Sequence, residues 1–209
     1  MDWLYSLSGF LVGLIVGVTG VGGGSLMTPL LVLVFGVAPV TAVGTDLLFA
    51  ALTKTGGAWA HARRGNVAWN VVGWLAAGSV PASAVTLVLL HLFVPDPGKL
   101  SAIVSVALGV ALILTAGALG VTVLFLLYPG LAVARIVGTD IAHAVPLTLV
   151  AGLGHAAAGA VDWKLLGALL IGSLPGIWLG SALSQKIPER LLRGALAAML
   201  ILIGGKLAL

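Results

Sequence analysis

Four ionisable side chains stand where a lipid-soluble chain has least use for them. Asp46 and Lys54 fall inside the apolar run VGTDLLFAALTKTGGAWA, and Asp140 and His143 inside VGTDIAHAVPLTLVAG. An ionised group at bilayer depth costs about 2.5–3.5 kcal/mol on insertion scales, so each needs a partner or a polar cavity. Eight helical residues put Lys54 about 12 Å from Asp46, deeper than a snorkelling lysine comfortably reaches. Such a lysine attracts an anionic substrate or pairs with a carboxylate, for which Asp140 is the candidate. Asp140 and His143 share a helix face and could relay a proton, because histidine titrates near neutrality. A hydrogen-bonded core histidine is the other reading of His143. Asp46 and Asp140 each fit a cap on their own helix, since Gly-Thr-Asp looks like a start signal. They equally fit interhelical hydrogen bonding, gating or proton coupling.

Two glycine clusters carry a second kind of chemistry. GVGGGS at 20–25 leads into the short apolar run 26–36, and AGALG at 116–120 opens the short run 117–128. Neither run is long enough to cross a hydrocarbon core of about 30 Å. A half-length helix that starts inside a membrane presents unpaired amides and the positive end of its dipole. That is a natural anion site, and glycine lets the backbone approach the ligand. Close helix packing is the alternative use of these glycines.

The elements that must position these groups are helices in a bilayer. Of 209 residues, 60% are hydrophobic and 8% charged, and the mean hydropathy is +1.22. A soluble domain carries about 25% charged residues, so this chain could not cover itself with polar surface. The apolar runs are continuous, not alternating, which excludes a β-barrel. There is no cysteine for disulfides or thiolate metal sites, and four scattered histidines do not form a metal site. Ten Lys and Arg against six acids report topology here and not nucleic-acid binding. The expected fold is an all-α polytopic membrane protein, with apolar segments at 3–19, 26–36, 43–62, 70–92, 99–115, 117–128, 137–157, 164–184 and 191–208. The first reads as a span and not a cleaved signal, lacking a basic start and a small-residue cleavage site.

The chain repeats itself at an offset of 94 residues. Gly44-Thr45-Asp46 aligns with Gly138-Thr139-Asp140, His61 with His155, Gly65 with Gly159, Trp69 with Trp163, and Gly78-Ser79 with Gly172-Ser173. Between 43 and 81, fifteen of 39 positions are identical to their mates, which marks two structural repeats, 1–115 and 116–209. Residues 1–20 have no mate immediately before Ala116, because the run 99–115 leads straight into the second glycine cluster. A loop and one span, roughly 35–50 residues, are therefore expected to be absent near Thr115–Ala116. Arg63 and Arg64 have no basic mates, Arg135 has the uncharged mate Thr41, and Lys186, Arg190 and Arg193 flank a loop where the first copy has VPDPGK. The positive-inside rule then orients the copies oppositely, with Lys99, Lys164 and Lys206 outside. Two inverted repeats, each with a glycine-rich break, would aim two helix ends at one central cavity.

Enzyme chemistry is not encoded. No G-x-S-x-G elbow occurs, and GVGGGS lacks the Gly-Lys-Ser/Thr ending of a phosphate loop.

GVTGVGGGSLMTPLLVLVFGVAP, AVGTDLLFAALTKTGGAWAHARRGNVAW and AVDWKLLGALLIGSLPGIWLGSALSQKIP resemble the sulfite exporter TauE/SafE family, also called the toluene-sulfonate uptake permease family. The resemblance implies a secondary transporter of the bacterial inner membrane for sulfite, thiosulfate or organosulfonates such as sulfoacetate. It implies no cofactor, and a pathway lined by Gly22, Gly23, Gly24, Ser25, Thr28, Gly44, Thr45, Asp46, Gly117, Gly120, Thr122, Gly138, Thr139 and Asp140. Lys54 joins the substrate contacts on the strength of its charge, and Asp46, Asp140 and His143 are the candidates for proton coupling. AGALG departs from the fuller GVGGG, which weakens the carry-over to 116–120. The expected partners are the anion, lipid and protons, and no nucleic acid. An anion channel and a membrane anion sensor are the rival readings.

Overall fold

The computed structural model describes residues 2–19, 24–93, 130 and 133–183. Six helices form there, and the described residues contain no strand. They are α1 (Asp2–Thr19), α2 (Gly24–Leu33), α3 (Pro39–Arg63), α4 (Trp69–Phe93), α5 (Val133–Ala157) and α6 (Trp163–Leu183). Each matches an expected segment to within about four residues at its ends. The runs 99–115, 117–128 and 191–208 lie outside the described residues, as do Gly22, Gly23, Gly117, Gly120 and Thr122. Trp69–Leu89 of α4 is long and apolar enough to cross a membrane, and Trp3–Val16 and Trp163–Leu179 are shorter apolar stretches.

Helix α3 starts four residues before the expected position because Pro39 sits in its first turn, where the ring pre-sets φ and the missing N–H is not needed. Ala38 provides no side-chain cap. At the other end α3 and α5 stop in the same way. Asn66 donates its amide to the carbonyl of His61 at 2.9 Å, and Ala160 donates to His155 at 2.8 Å. The intervening Gly65 and Gly159 have φ of 69° and 70°, the left-handed closure that glycine tolerates best. The next helices also start alike: Val72 and Leu166 donate to the carbonyls of Ala68 and Asp162 at 3.0 and 2.9 Å. All these pairs are mates at offset 94.

Helix α1 packs along α6 through small residues on both. A Cβ on Gly9 would strike the backbone carbonyl of Leu169, one on Gly172 that of Ser6, and one on Gly176 that of Phe10. A Cβ on Gly13 would stand 2.6 Å from the carbonyl oxygen of Ser173. The partners advance in the same direction along both helices, so α1 and α6 run parallel. Two glycines four apart on each helix let the backbones touch, as small residues do inside membranes. The Ser6 hydroxyl donates to the carbonyl of Ala168 at 2.9 Å across this seam.

The apolar core lies where α2, α3 and α6 meet. Met27, Leu31, Phe49 and Leu169 are fully buried there. Helix α3 also packs along α5, and α5 along α4.

Candidate functional site

Asp46 is eight residues into α3, not at its start. It therefore cannot cap its own helix, and the carboxylate turns to α2 instead. Thr28 donates its amide to Asp46 Oδ2 at 3.2 Å and its hydroxyl to the same oxygen. Both residues are buried, and Oδ1 has no hydrogen-bond partner. Interhelical bonding is thus the part of the expectation that this carboxylate fulfils.

Lys54 is half-buried two turns further along α3. Its opposite-charge neighbours are Asp140 on α5 and then Asp46. His143 has Asp140 and Lys54 as its charged neighbours, and its Nε2 lies 2.8 Å from the hydroxyl of Ser79 on α4. Two hydrogen-bonded pairs, Thr28–Asp46 across α2 and α3 and Ser79–His143 across α4 and α5, are linked by charge alone through Lys54 and Asp140 into one polar seam. Among the described residues, no cluster of three or more His, Cys, Asp or Glu side chains could hold a metal.

Ser79 is the residue that charge and motif reading passed over. Its signal was the Gly-Ser pair common to both copies at 78–79 and 172–173. Ser173, the mate, is buried and donates to the carbonyl of Leu170 at 3.3 Å within its own helix. The mate of His143 is Phe49, and the mate of Lys54 is Thr148. Thr148 bonds the carbonyl of Ala144 at 2.7 Å. Polar chemistry on the α4–α5 side is thus replaced by packing on the α6–α3 side.

The remaining Gly-Thr pairs join the copies to each other. Thr45 Oγ1 accepts the amide of Asp162 at 3.1 Å, and its mate Thr139 accepts the amide of Ala68 at 2.9 Å. Ala68 and Asp162 are themselves mates, each one residue before its helix. A Cβ on Gly44 would strike the carbonyl of Ala160 and approach His155, and a Cβ on Gly138 would strike the carbonyl of Asn66 and approach His61. Each of these glycine and threonine contacts made by one copy is returned by the other. These contacts also place the start of α5 beside the end of α3, so the two run antiparallel, with Arg63, Arg64 and Arg135 at one end and Lys164 at the other.

Gly24 opens α2, one residue before Ser25. Of the glycine clusters and the residues beside them, Gly24, Ser25 and Thr28 are the candidates on described backbone.

Residues 5–116 and 111–207 match the profile of the family described as sulfite exporter TauE/SafE. The chain is similar to the probable membrane transporter protein YjnA of Bacillus subtilis (strain 168), at 33% identity over 249 positions that cover 96% of this chain and 97% of the relative. It is also similar to the probable membrane transporter protein YdhB of the same organism, at 28% identity over 225 positions covering 90% and 92%. No solved structure matches. In the first alignment 96% of 209 residues is about 201, so about 48 of the 249 positions hold residues of YjnA with none of this chain opposite.

Proposed function

The chain belongs to the TauE/SafE sulfite exporter family of membrane transporters, and from that premise we propose that it carries small sulfur-containing anions by alternating access. Sulfite, thiosulfate and organosulfonates such as sulfoacetate are the substrate class, and the bacterial inner membrane is the location. The observation that carries this reading is the polar seam from Thr28 through Asp46, Lys54 and Asp140 to His143 and Ser79. Intramembrane charges that converge from several helices mark an ion path before they mark a fold device. Lys54 supplies attraction for the anion, and Asp46, Asp140 and His143 are the candidate proton carriers.

The exchange between Thr45–Asp162 and Thr139–Ala68 supports two inverted repeats. When residue i of one unit meets residue j of the other, and their mates do the same, the units are related by a local two-fold. In secondary transporters such repeats hold the substrate between them and rock about it. Gly44, Thr45, Gly138 and Thr139 then sit at the joint between the rocking halves, beside the pathway that includes Gly22–Ser25 and Thr28. The family match divides at 111–116, and about 48 positions of YjnA stand unopposed. Both agree with the loss of one span and its loop near Thr115–Ala116.

Flux of sulfite and sulfoacetate into liposomes containing the purified protein tests this reading. Saturable flux supports a carrier. Rates far above carrier turnover with no proton coupling point to a channel, and binding without flux points to a sensor.

A further inference from the structure

Helix α2 opens at Gly24 directly after the glycine cluster, with the positive end of its dipole there, and Thr28 lies one turn inside that end. The anion held at Thr28 belongs to the protein itself. Asp46 Oδ2 takes both donors of Thr28, amide and hydroxyl. Its other oxygen is buried with no partner, and the whole residue is 3% exposed. An ionised carboxylate in that position is half-satisfied, and the bare oxygen is a costly thing to leave in the membrane interior. A carboxyl that gains a proton loses the charge-assisted strength of its hold on the Thr28 donors and its repulsion of other anions.

We propose that Asp46 is a resident anion standing in the substrate's place, so that the substrate anion reaches the Thr28 amide and hydroxyl only when Asp46 takes up a proton. This deepens the transport reading above and rests on it. The ligand class is a small sulfonate or sulfur oxyanion that accepts two hydrogen bonds through one end. The charges around the site fit the exchange. Lys54 faces Asp46 from the same helix, and Asp140 and His143 face Lys54 from α5. Helix α2 contributes no charge among its described side chains. Next to α6, Asp162 is exposed and its Oδ1 accepts the amides of Lys164 and Leu165 at 3.0 Å, and Lys164 is exposed as well. With Asp46 and Asp140 ionised and His143 neutral, the seam carries one net negative charge. Protonating Asp46 and admitting a monoanion leaves that sum unchanged, so proton and anion move together without charge building up in the interior.

Methanesulfonate is a suitable probe because it stays a monoanion across the working pH range, and sulfite accompanies it as the reference anion. In liposomes holding the intact protein and a lumenal pH dye, the anion gradient is expected to drive proton entry. Affinity for methanesulfonate is expected to fall about tenfold per pH unit once Asp46 ionises. Asp46→Asn, a neutral isostere, is expected to keep anion exchange while losing proton entry and the pH dependence. Proton-coupled flux or wild-type pH dependence in Asp46→Asn overturns the proposal and leaves the transport reading intact. Wild-type protein that moves neither anion overturns both. If Asp46→Asn does not fold, the wild-type protein in weakly buffered detergent decides: one proton taken up per anion bound is expected, and binding without uptake overturns the proposal.

Discussion

The hydroxyl of Thr45 accepts the amide of Asp162, 117 positions away, at 3.1 Å, and Thr139 returns the contact to Ala68 at 2.9 Å. Each threonine satisfies an amide at the entrance of a helix in the other copy, where no intrahelical acceptor exists. The two copies are therefore fastened twice by the same device, once at each end of the α3–α5 pair.

Removing one fastener should loosen the protein measurably. Thr139→Val leaves the Ala68 amide unpaired, and a buried unsatisfied donor costs about 1–3 kcal/mol. The expected result is a lower unfolding temperature in detergent for Thr139→Val and Thr45→Val, with recovery in the corresponding serine variants. Equal stability of valine and serine variants would show that the hydroxyls contribute nothing.

Glycines that are mates in sequence should respond in opposite ways to alanine. Gly172 meets the backbone of Ser6 on α1, while nothing lies within 4 Å of a Cβ on its mate Gly78. Gly172→Ala and Gly13→Ala are expected to destabilise through separation of α1 from α6. Gly78→Ala is expected to be neutral or to stabilise, because alanine favours a helix by up to about 1 kcal/mol over glycine. Thermal unfolding of the three variants in one detergent checks this, and equal losses at Gly78 and Gly172 would contradict it.

Much of this architecture was legible in the sequence, and the reasons are specific. The offset of 94 paired Gly44-Thr45-Asp46 with Gly138-Thr139-Asp140, and the structure gives the glycine and threonine pairs matching roles. The pairing of Gly65 with Gly159 also falls where the structure closes α3 and α5 through positive φ. The position of Asp46 in its helix was not legible, because Pro39 carries the start of α3 past the Gly-Thr-Asp signal. Partners across copies were also hidden. Periodicity says which residues share a face, but not that Thr45 reaches the loop before α6. Ser79 escaped because a serine beside glycine carries no charge to betray its bond to His143. The glycine clusters at 20–23 and 116–120 fall outside the described residues.

Lys54 should matter to anion affinity more than to the fold. Its mate is Thr148, so the repeat does not require a lysine there. Lys54→Ala is expected to raise the KM for sulfite about tenfold or more, which corresponds to losing about 1.4 kcal/mol of attraction. Unfolding temperature should change little by comparison. An unchanged KM would remove Lys54 from the substrate path.

Transport of sulfur anions across a membrane is the proposed activity on which the predictions for Lys54 and Asp46 depend. The most direct measurement is sulfite uptake into liposomes holding the purified protein, with and without an imposed pH gradient, against protein-free liposomes. Saturable uptake that rises with the inward proton gradient is the predicted result. Uptake no faster than in protein-free liposomes, from protein shown to be folded, would contradict it.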